Sequence, residues 1–143
     1  MNGYAEISDQ PRVLRVFGTT RRDLFEQAAF ALFDQGYVLD QIAATYSRPV
    51  MAAGDDMGEL LGNWLAELLE MSQTNQIAPS FFIVDRLEDG GVQGSAAGMP
   101  MAEAVRRSVV VVGLTTPPSD PIAVPEGWWV DLAIDLEPRL RSI

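Results

Sequence analysis

The sequence contains no cysteine and no histidine, and its ten basic residues are all arginines, so lysine is absent as well. Without cysteine there is no disulfide, thiolate or iron–sulfur chemistry. Without histidine the commonest general base and metal ligand is missing, and no serine has a histidine to activate it. Without lysine no Schiff-base or Walker-type site can form. These absences argue against the enzyme classes that depend on these three side chains.

Basic charge is also scarce, because twenty acidic residues face ten basic ones and give a formal net charge of −10. This charge opposes strong direct binding to nucleic acid or to an anionic membrane, and it favours partners with basic surfaces. The longest aliphatic run, Val109 to Val112, is far too short to span a bilayer. The first residues have neither the basic nor the apolar part of a signal peptide. We therefore expect a cytoplasmic protein.

The length of 143 residues and the apolar content of 48% favour one domain with a substantial core. We expect this domain to cover residues 1–143, with a core from about residue 4 to residue 136. Residues 137–143 read as a tail.

Residues 54–71 carry the clearest helical pattern in the sequence. Their apolar side chains recur at intervals of three and four residues, which places them on one broad face. Asp55 or Asp56 can cap the start of this helix. A second helix is predicted to begin after Thr19 or Thr20 and to run to about residue 35.

Strands are predicted around the two helices from runs of β-branched and aromatic residues. Pro49 weakens the run at residues 46–53, which favours an edge strand. The valine-rich run at residues 108–114 is the most β-prone, and we expect it at the centre of a sheet, covered on both faces. The other predicted strands cover residues 13–17, 81–87, 92–98 and 128–136. This order predicts an α+β fold of two layers, with two helices packed on a mostly antiparallel sheet.

Three motifs in this order resemble those of the archease family. Residues 15–26 read Arg-x-Phe-Gly-Thr-Thr-x-x-x-Leu-Phe-Glu, and residues 55–69 read Asp-Asp-x-x-x-Leu-Leu-x-x-Trp-Leu-x-Glu-Leu-Leu. Residues 134–136, Ile-Asp-Leu, are similar to the C-terminal motif of the family. The resemblance covers nearly the whole chain, from Tyr4 to Leu136.

The resemblance implies an archease-like fold and the role of a small accessory protein with no covalent chemistry of its own. Members of that family promote guanylylation and turnover of the tRNA-splicing RNA ligase, which joins 3′-phosphate or cyclic-phosphate ends to 5′-hydroxyls. They carry a metal, usually calcium, on two aspartates. One aspartate belongs to an N-terminal Asp-His-Thr-Ala-Asp motif, and the other lies near the C-terminus.

Carried over to this chain, the resemblance implies a calcium site on Asp135, Leu136 and Asp9. Asp135 matches the C-terminal aspartate, and Leu136 could add its backbone carbonyl. The N-terminal motif falls on residues 7–11, where Pro11 replaces the second aspartate and Asp9 is the one remaining carboxylate.

A basic pair is the second feature that the resemblance singles out. Arg106 or Arg107 stands where the family has a lysine, and the resemblance implies contact with the ligase or with a nucleotide. Arginine keeps the positive charge of lysine but lacks its compact ammonium group.

Each candidate also has a structural interpretation, which the sequence leaves open. Asp135 could be a solvated carboxylate at a strand end, and Asp9 a turn residue before a proline. The arginines at 106–107 could form an exposed connector. The tryptophans at 128–129 fit one core ring and one ring at the rim better than a base-stacking surface.

Three functions are therefore compatible with the sequence. The first is an archease-like accessory protein that acts on the RNA ligase through a metal-bearing acidic rim. The second is a diverged archease fold that has lost the metal and binds a different basic partner. The third is an acid-type hydrolase that uses Asp131 and Asp135, for which two carboxylates four residues apart are weak support.

Overall fold

The structure, a computed structural model, describes residues 2–139. Within that range the chain forms two α-helices, α1 (Arg21–Asp34) and α2 (Met57–Asn75). The strands are β1 (Gly3–Asp9), β2 (Arg12–Gly18), β3 (Tyr46–Ala53), β4 (Ile77–Glu88), β5 (Gly91–Pro100), β6 (Val109–Leu114), β7 (Ile122–Val124) and β8 (Gly127–Pro138). Short 3₁₀ turns lie at Leu39–Gln41 and Met101–Glu103.

Both helices begin where the sequence predicts, and the structure decides between the alternative caps. Thr20 caps α1, because its hydroxyl oxygen accepts a hydrogen bond from the Asp23 amide at 3.0 Å. Asp56 caps α2 in the same way, and its carboxylate accepts from the Glu59 amide at 2.8 Å. Each cap satisfies one of the amides that the first helical turn leaves without a partner.

The predicted α+β class is confirmed, with two helices packed on antiparallel strands, but the strands divide into two sheets. The large sheet has the order β1-β2-β8-β6, and β7 also pairs with β8. The small sheet has the order β3-β5-β4. Helix α1 packs against β2 and also against β4, so it touches both sheets. The buried residues of α1 lie on most sides of the helix and include Ala28, Ala29, Ala31 and Leu32. One sheet alone would leave some of these side chains exposed.

The core lies between the helices and the inner faces of the sheets. Leu14, Val130 and Leu132 of the large sheet are fully or almost fully buried beside α1. Trp64 of α2 is completely buried, and its indole Nε1 donates to the backbone carbonyl of Phe25 at 3.2 Å. This bond joins the two helices and satisfies the polar atom of the buried tryptophan.

The expectation that residues 108–114 form a central strand is wrong. Strand β6 pairs with β8 alone and ends the large sheet. Val112 is 50% exposed at this edge. β-branched residues favour the pleated conformation, but they do not decide which neighbours a strand acquires.

The last strand is longer than predicted. Strand β8 runs to Pro138, so Glu137 and Pro138, which were expected in the tail, pair with β6. Arg139 follows β8, and residues 140–143 of the expected tail lie outside the described residues. Neither described helix is long and apolar enough to cross a membrane.

Candidate functional site

The two ends of the chain that carry the predicted metal ligands meet at one edge of the large sheet. Strand β2 pairs with β8 up to Arg12 opposite Ile134, so the next residues are Pro11, in the β1–β2 turn, and Asp135 on β8. Asp135 is exposed, whereas Ile134 before it is buried against the core. The position opposite Asp135 is therefore held by proline, where the family motif has an aspartate.

A depression of about 420 Å³ lies where the β1–β2 turn meets the end of β8. The structure brings Asp9, Asp135 and Leu136 together in its lining. The remaining lining residues are Gln10, Pro11, Arg12, Val109, Thr115, Ile134, Glu137 and Pro138. The three residues predicted as metal ligands thus share one surface feature, although they lie far apart in sequence.

Asp9 does not face the depression as a free carboxylate, because Arg12 binds it. The Arg12 Nη2 atom donates to Asp9 Oδ1 at 2.9 Å, and the Asp9 side chain is 72% exposed. The second terminal nitrogen of Arg12 donates to Gln35 Oε1 at 2.7 Å. The Arg12 Nε atom is buried, lies 3.6 Å from Glu6 Oε1, and makes no hydrogen bond within residues 2–139. Arg12 therefore neutralises much of the acidic charge at the β1–β2 turn.

This donor set falls short of a calcium site. Calcium takes six to eight oxygen ligands, usually from several carboxylates. Among the described residues no three acidic side chains come close enough together to hold an ion. Asp135 offers one carboxylate, and Asp9 is paired with a guanidinium. Calcium at Asp135, Leu136 and Asp9 stays a prediction.

The predicted partner-contacting arginines are engaged within the chain. Arg107 Nε donates to the backbone carbonyls of Asp34 at 2.6 Å and of Tyr37 at 3.0 Å, near the end of α1. Arg106 donates to the carbonyl of Met101 at 3.0 Å. Arg107 thus stabilises the Asp34 carbonyl, one of those that the last helical turn leaves without an amide partner. Whether either arginine contacts a partner stays a prediction.

A hydrogen-bond network that sequence reasoning missed links the β1–β2 turn to the end of α1. Tyr4 donates its hydroxyl to the Asp34 carboxylate, and that hydroxyl accepts from Gln35 Nε2 at 3.2 Å. Gln35 in turn binds Arg12, which binds Asp9. Burial, followed by the hydrogen bond to Asp34, raises the pKa of Tyr4 to about 12. No sequence signal marks these contacts, because Tyr4 and Asp34 lie in different elements.

The outer side of the large sheet carries a second ordered group of polar and aromatic residues. Arg15 donates to both carboxylate oxygens of Asp131, at 2.8 and 3.0 Å. The Arg15 guanidinium also lies 4.1 Å from the centre of the Trp129 ring. The hydrogen bond to Asp131 raises the pKa of Arg15. Asp131 is thus the partner of an arginine, and this pairing weakens the hydrolase interpretation.

The two adjacent tryptophans differ as the sequence predicts. Trp128 packs against the core, and the Arg21 guanidinium lies 5.2 Å from the centre of its ring. Trp129 lies beside Arg15 on the opposite side of the sheet. Neighbouring residues of a strand point to opposite faces, which explains the difference.

Comparison with known proteins gives a consistent result. Residues 12–135 match the sequence model of the Archease protein family. "Protein archease" of Methanosarcina barkeri is 28% identical over 89 residues, which cover 62% of this chain and 61% of the relative. "Protein archease" of Methanopyrus kandleri is 37% identical over 89 residues, which cover 60% of this chain and 64% of the relative. The chain therefore spans about three fifths of the length of these curated relatives.

A solved structure supports the same assignment at the level of the fold. The solution structure of protein 1598 from Methanobacterium thermoautotrophicum superposes with a TM-score of 0.72. It covers 97% of this chain and 100% of that protein, at 23% sequence identity. Because the family model matches the sequence from β2 to β8 and the fold agrees over almost its whole length, this chain belongs to the archease family.

Proposed function

We propose that this protein is an accessory factor that promotes guanylylation and turnover of an RNA ligase of the tRNA-splicing type. Such a ligase joins RNA 3′-phosphate ends to 5′-hydroxyls. The protein would act in the cytoplasm and would catalyse no covalent step itself. The observation that carries the proposal is the meeting of the β1–β2 turn with Asp135 in a chain of the archease family.

Asp135 is the residue to which we assign the main electrostatic role. Its side chain is exposed in the depression, and the nearby Arg12 is already bound to Asp9 and Gln35. An exposed carboxylate at a partner's active site can attract and orient basic groups there. We infer that Asp135 contacts a basic group near the nucleotide entrance of the ligase.

The arginines at the end of α1 are assigned a supporting role. Arg107 is held by α1, and Arg106 is held by Met101, so both have restricted positions at the surface. A positioned guanidinium recognises phosphate or carboxylate groups better than a mobile one, because less conformational freedom is lost on binding. We propose that Arg106 and Arg107 contact the ligase or its nucleotide.

The experiment that tests the proposal is a ligation assay under multiple-turnover conditions, with the RNA ligase from the same organism. The parent protein should increase the number of ligations per ligase molecule. The variant Asp135→Asn should lose most of this stimulation, about 10-fold, because the carboxylate charge is removed at constant size. Glu137→Gln is the matched control, since Glu137 lies in the same depression two residues further along β8. A parent protein without effect on turnover would refute the proposal.

The lost Asp-His-Thr-Ala-Asp motif is the specific observation that favours the second candidate, a binding module for a different basic partner. Pro11 stands opposite Asp135, and Asp9 is occupied by Arg12. Calorimetric titration of chelator-stripped protein with calcium separates the alternatives. Binding that Asp135→Asn abolishes would restore the metal-bearing role. Absence of binding together with absence of ligase stimulation would favour the second candidate.

A further inference from the structure

The large sheet has one face that no helix covers. Its inner face packs on α1 through Leu14, Val16, Val130 and Leu132, which are buried. Side chains alternate along a strand, so the residues between these point to the outer side. We call this side the outer face; it carries Val13, Arg15 and Phe17 of β2, Trp129, Asp131, Ala133 and Asp135 of β8, and Ile122 of β7.

The outer face contains a row of large apolar side chains across three strands. Trp129 of β8 lies opposite Phe17 of β2 on one side and opposite Ile122 of β7 on the other. Phe17 and Trp129 are half-buried, and Ile122 is 48% exposed. Such a row is unusual on a solvent-facing strand, where polar residues normally alternate with the core residues.

Arg15 and Asp131 form the next row of the outer face, and Arg15 packs on Trp129 of the apolar row. The bidentate bond between them, at 2.8 and 3.0 Å, fixes the guanidinium 4.1 Å from the centre of the Trp129 ring. Tryptophan and arginine are enriched among the residues that dominate binding energy at protein interfaces. Because their side chains are already ordered, little conformational entropy is lost when a partner covers them.

The outer face continues directly into the depression at Asp135. The outward positions of β8 run from Trp129 through Asp131 and Ala133 to Asp135, which is six residues or roughly 20 Å of strand. That length suits one side of a standard protein interface, which covers about 800 Å² per partner. A partner bound to the outer face would therefore also contact the depression at Asp135.

The charge around the outer face identifies the kind of partner. Asp131 is neutralised by Arg15, whereas Asp135 is exposed in the depression and adds negative charge there. The whole chain carries a net charge of −10. A protein surface with basic residues around an apolar centre is the complement of this pattern.

We propose that the outer face of the large sheet is the surface on which the ligase docks, with Trp129 and Arg15 at its centre and Asp135 at the edge nearest the nucleotide entrance. This inference rests on the proposed function and names the surface through which it acts. The docked ligase covers the apolar row, and the β1–β2 turn then lies beside the ligase active site.

The second uncovered sheet face supplies the control. The small sheet exposes Met51 and Phe81, which are 63% and 55% exposed, on the side away from the core. Neither residue lies in the depression at Asp135. Ile122→Ser and Met51→Ser are a matched pair of aliphatic substitutions on exposed strands, and Trp129→Ala and Phe81→Ala are a matched aromatic pair.

The test measures the affinity of the purified ligase for the parent protein and the four variants, together with the thermal midpoint of each variant. The large-sheet variants should weaken binding, Trp129→Ala by about 10-fold or more and Ile122→Ser by several-fold. The small-sheet variants should bind within about twofold of the parent. Ile122 is exposed, so its variant keeps the test valid even if Trp129→Ala lowers the thermal midpoint.

Two outcomes would overturn the inference, and they can be told apart. If the parent binds the ligase and stimulates it while the large-sheet variants bind normally, the docking surface is wrong and the proposed function stands. The same holds if the small-sheet variants are the ones that lose binding. If the parent itself neither binds nor stimulates the ligase, the proposed function fails and this inference fails with it.

Discussion

Single residues at the β1–β2 turn show how this chain differs from the metal-binding pattern of its family. Arg12 holds Asp9 and Gln35, and Gln35 holds Tyr4, so charges near the candidate site are balanced by protein groups. Asp135 is exposed, and no arginine among residues 2–139 forms an ion pair with it. The hydrogen bonds of Arg12 thus fix the β1–β2 turn, and the exposed carboxylate of Asp135 lies beside it.

Tyr4 gives this network a measurable dependence on pH. Its pKa of about 12 in the folded protein lies above the usual tyrosine value near 10. Because the folded-state pKa is raised, the stabilising contribution of Tyr4 is complete below pH ~10 and is lost as the pH rises through ~12. Lysine, which normally titrates in the same range, is absent.

We expect the free energy of unfolding of the parent to fall by about 1 kcal/mol more than that of Tyr4→Phe between pH 9 and pH 11.5. The full pKa shift of Tyr4 would correspond to a larger loss of unfolding free energy. Tyr4 is only half-buried, however, so solvent screens part of the effect. Urea denaturation at the two pH values measures both proteins. Equal losses of unfolding free energy in the two proteins would show that the Tyr4 hydroxyl does not cause this pH dependence.

At the scale of elements, each helix start combines a glycine, a cap and an acidic residue at the same spacing. Gly18 and Gly54 precede the caps Thr20 and Asp56 by two residues, and both stand where a side chain would strike the first helical turn. Gly18 ends β2, Gly54 directly follows β3, and in each case the cap begins the helix. This recurrence fixes how each strand passes into its helix.

The cap of α2 can be tested against its neighbour in the sequence. Asp56→Ala should lower the free energy of unfolding by about 1 kcal/mol, because the Glu59 amide loses its acceptor. Asp55→Ala removes the same charge one residue away from the cap and should cost clearly less. Chemical denaturation of the two variants gives the comparison. Equal losses would mean that negative charge near the helix start matters more than the cap bond.

The close packing of β5 against α2 is a second element-scale feature. A Cβ atom at Gly94 would lie 2.1 Å from the Ile83 carbonyl oxygen and 3.0 Å from the Trp64 ring. A Cβ atom at Gly91, in the same strand, would meet nothing within 4 Å. Gly94→Ala should therefore destabilise the protein by about 2 kcal/mol or more, whereas Gly91→Ala should cost under about 0.5 kcal/mol. Thermal and urea unfolding would contradict this packing account if the two variants behaved alike.

The sequence predicts local features well, and the contacts between distant elements poorly. Helix α2 and its cap region, the edge position of β3 and the hairpin of β4 and β5 follow from periodicity, Pro49 and turn glycines. The division into two sheets and the edge position of β6 depend on strand partners, which propensity does not specify.

The candidate site was predictable only in part, for the same reason. The resemblance directs attention to Asp135 and Asp9, and the structure brings both to one depression. Two contacts could not be predicted, because each joins residues of separate elements. They are the hydrogen bonds of Arg12 to Asp9 and of Arg107 to the end of α1. The position of Pro11 beside Asp135 follows from the strand register, which only the fold supplies.

On the scale of the whole molecule, the acidic charge and the outer face of the large sheet fit the basic protein partner that we propose. The net charge is −10, and the outer face of the large sheet leads to Asp135. Salt screens such attraction, with a Debye length of about 10 Å at 0.1 M. The association rate of the complex with the ligase should therefore fall as salt increases. The apolar contacts at its centre should not depend on salt.

The most direct test of the central claim is the fraction of ligase that carries covalent GMP after one ligation, with this protein present at a substoichiometric level. The proposed role predicts that this fraction rises well above that of ligase alone, because one accessory molecule serves many ligase molecules in turn. The same fraction with and without the protein would contradict the claim that it promotes guanylylation.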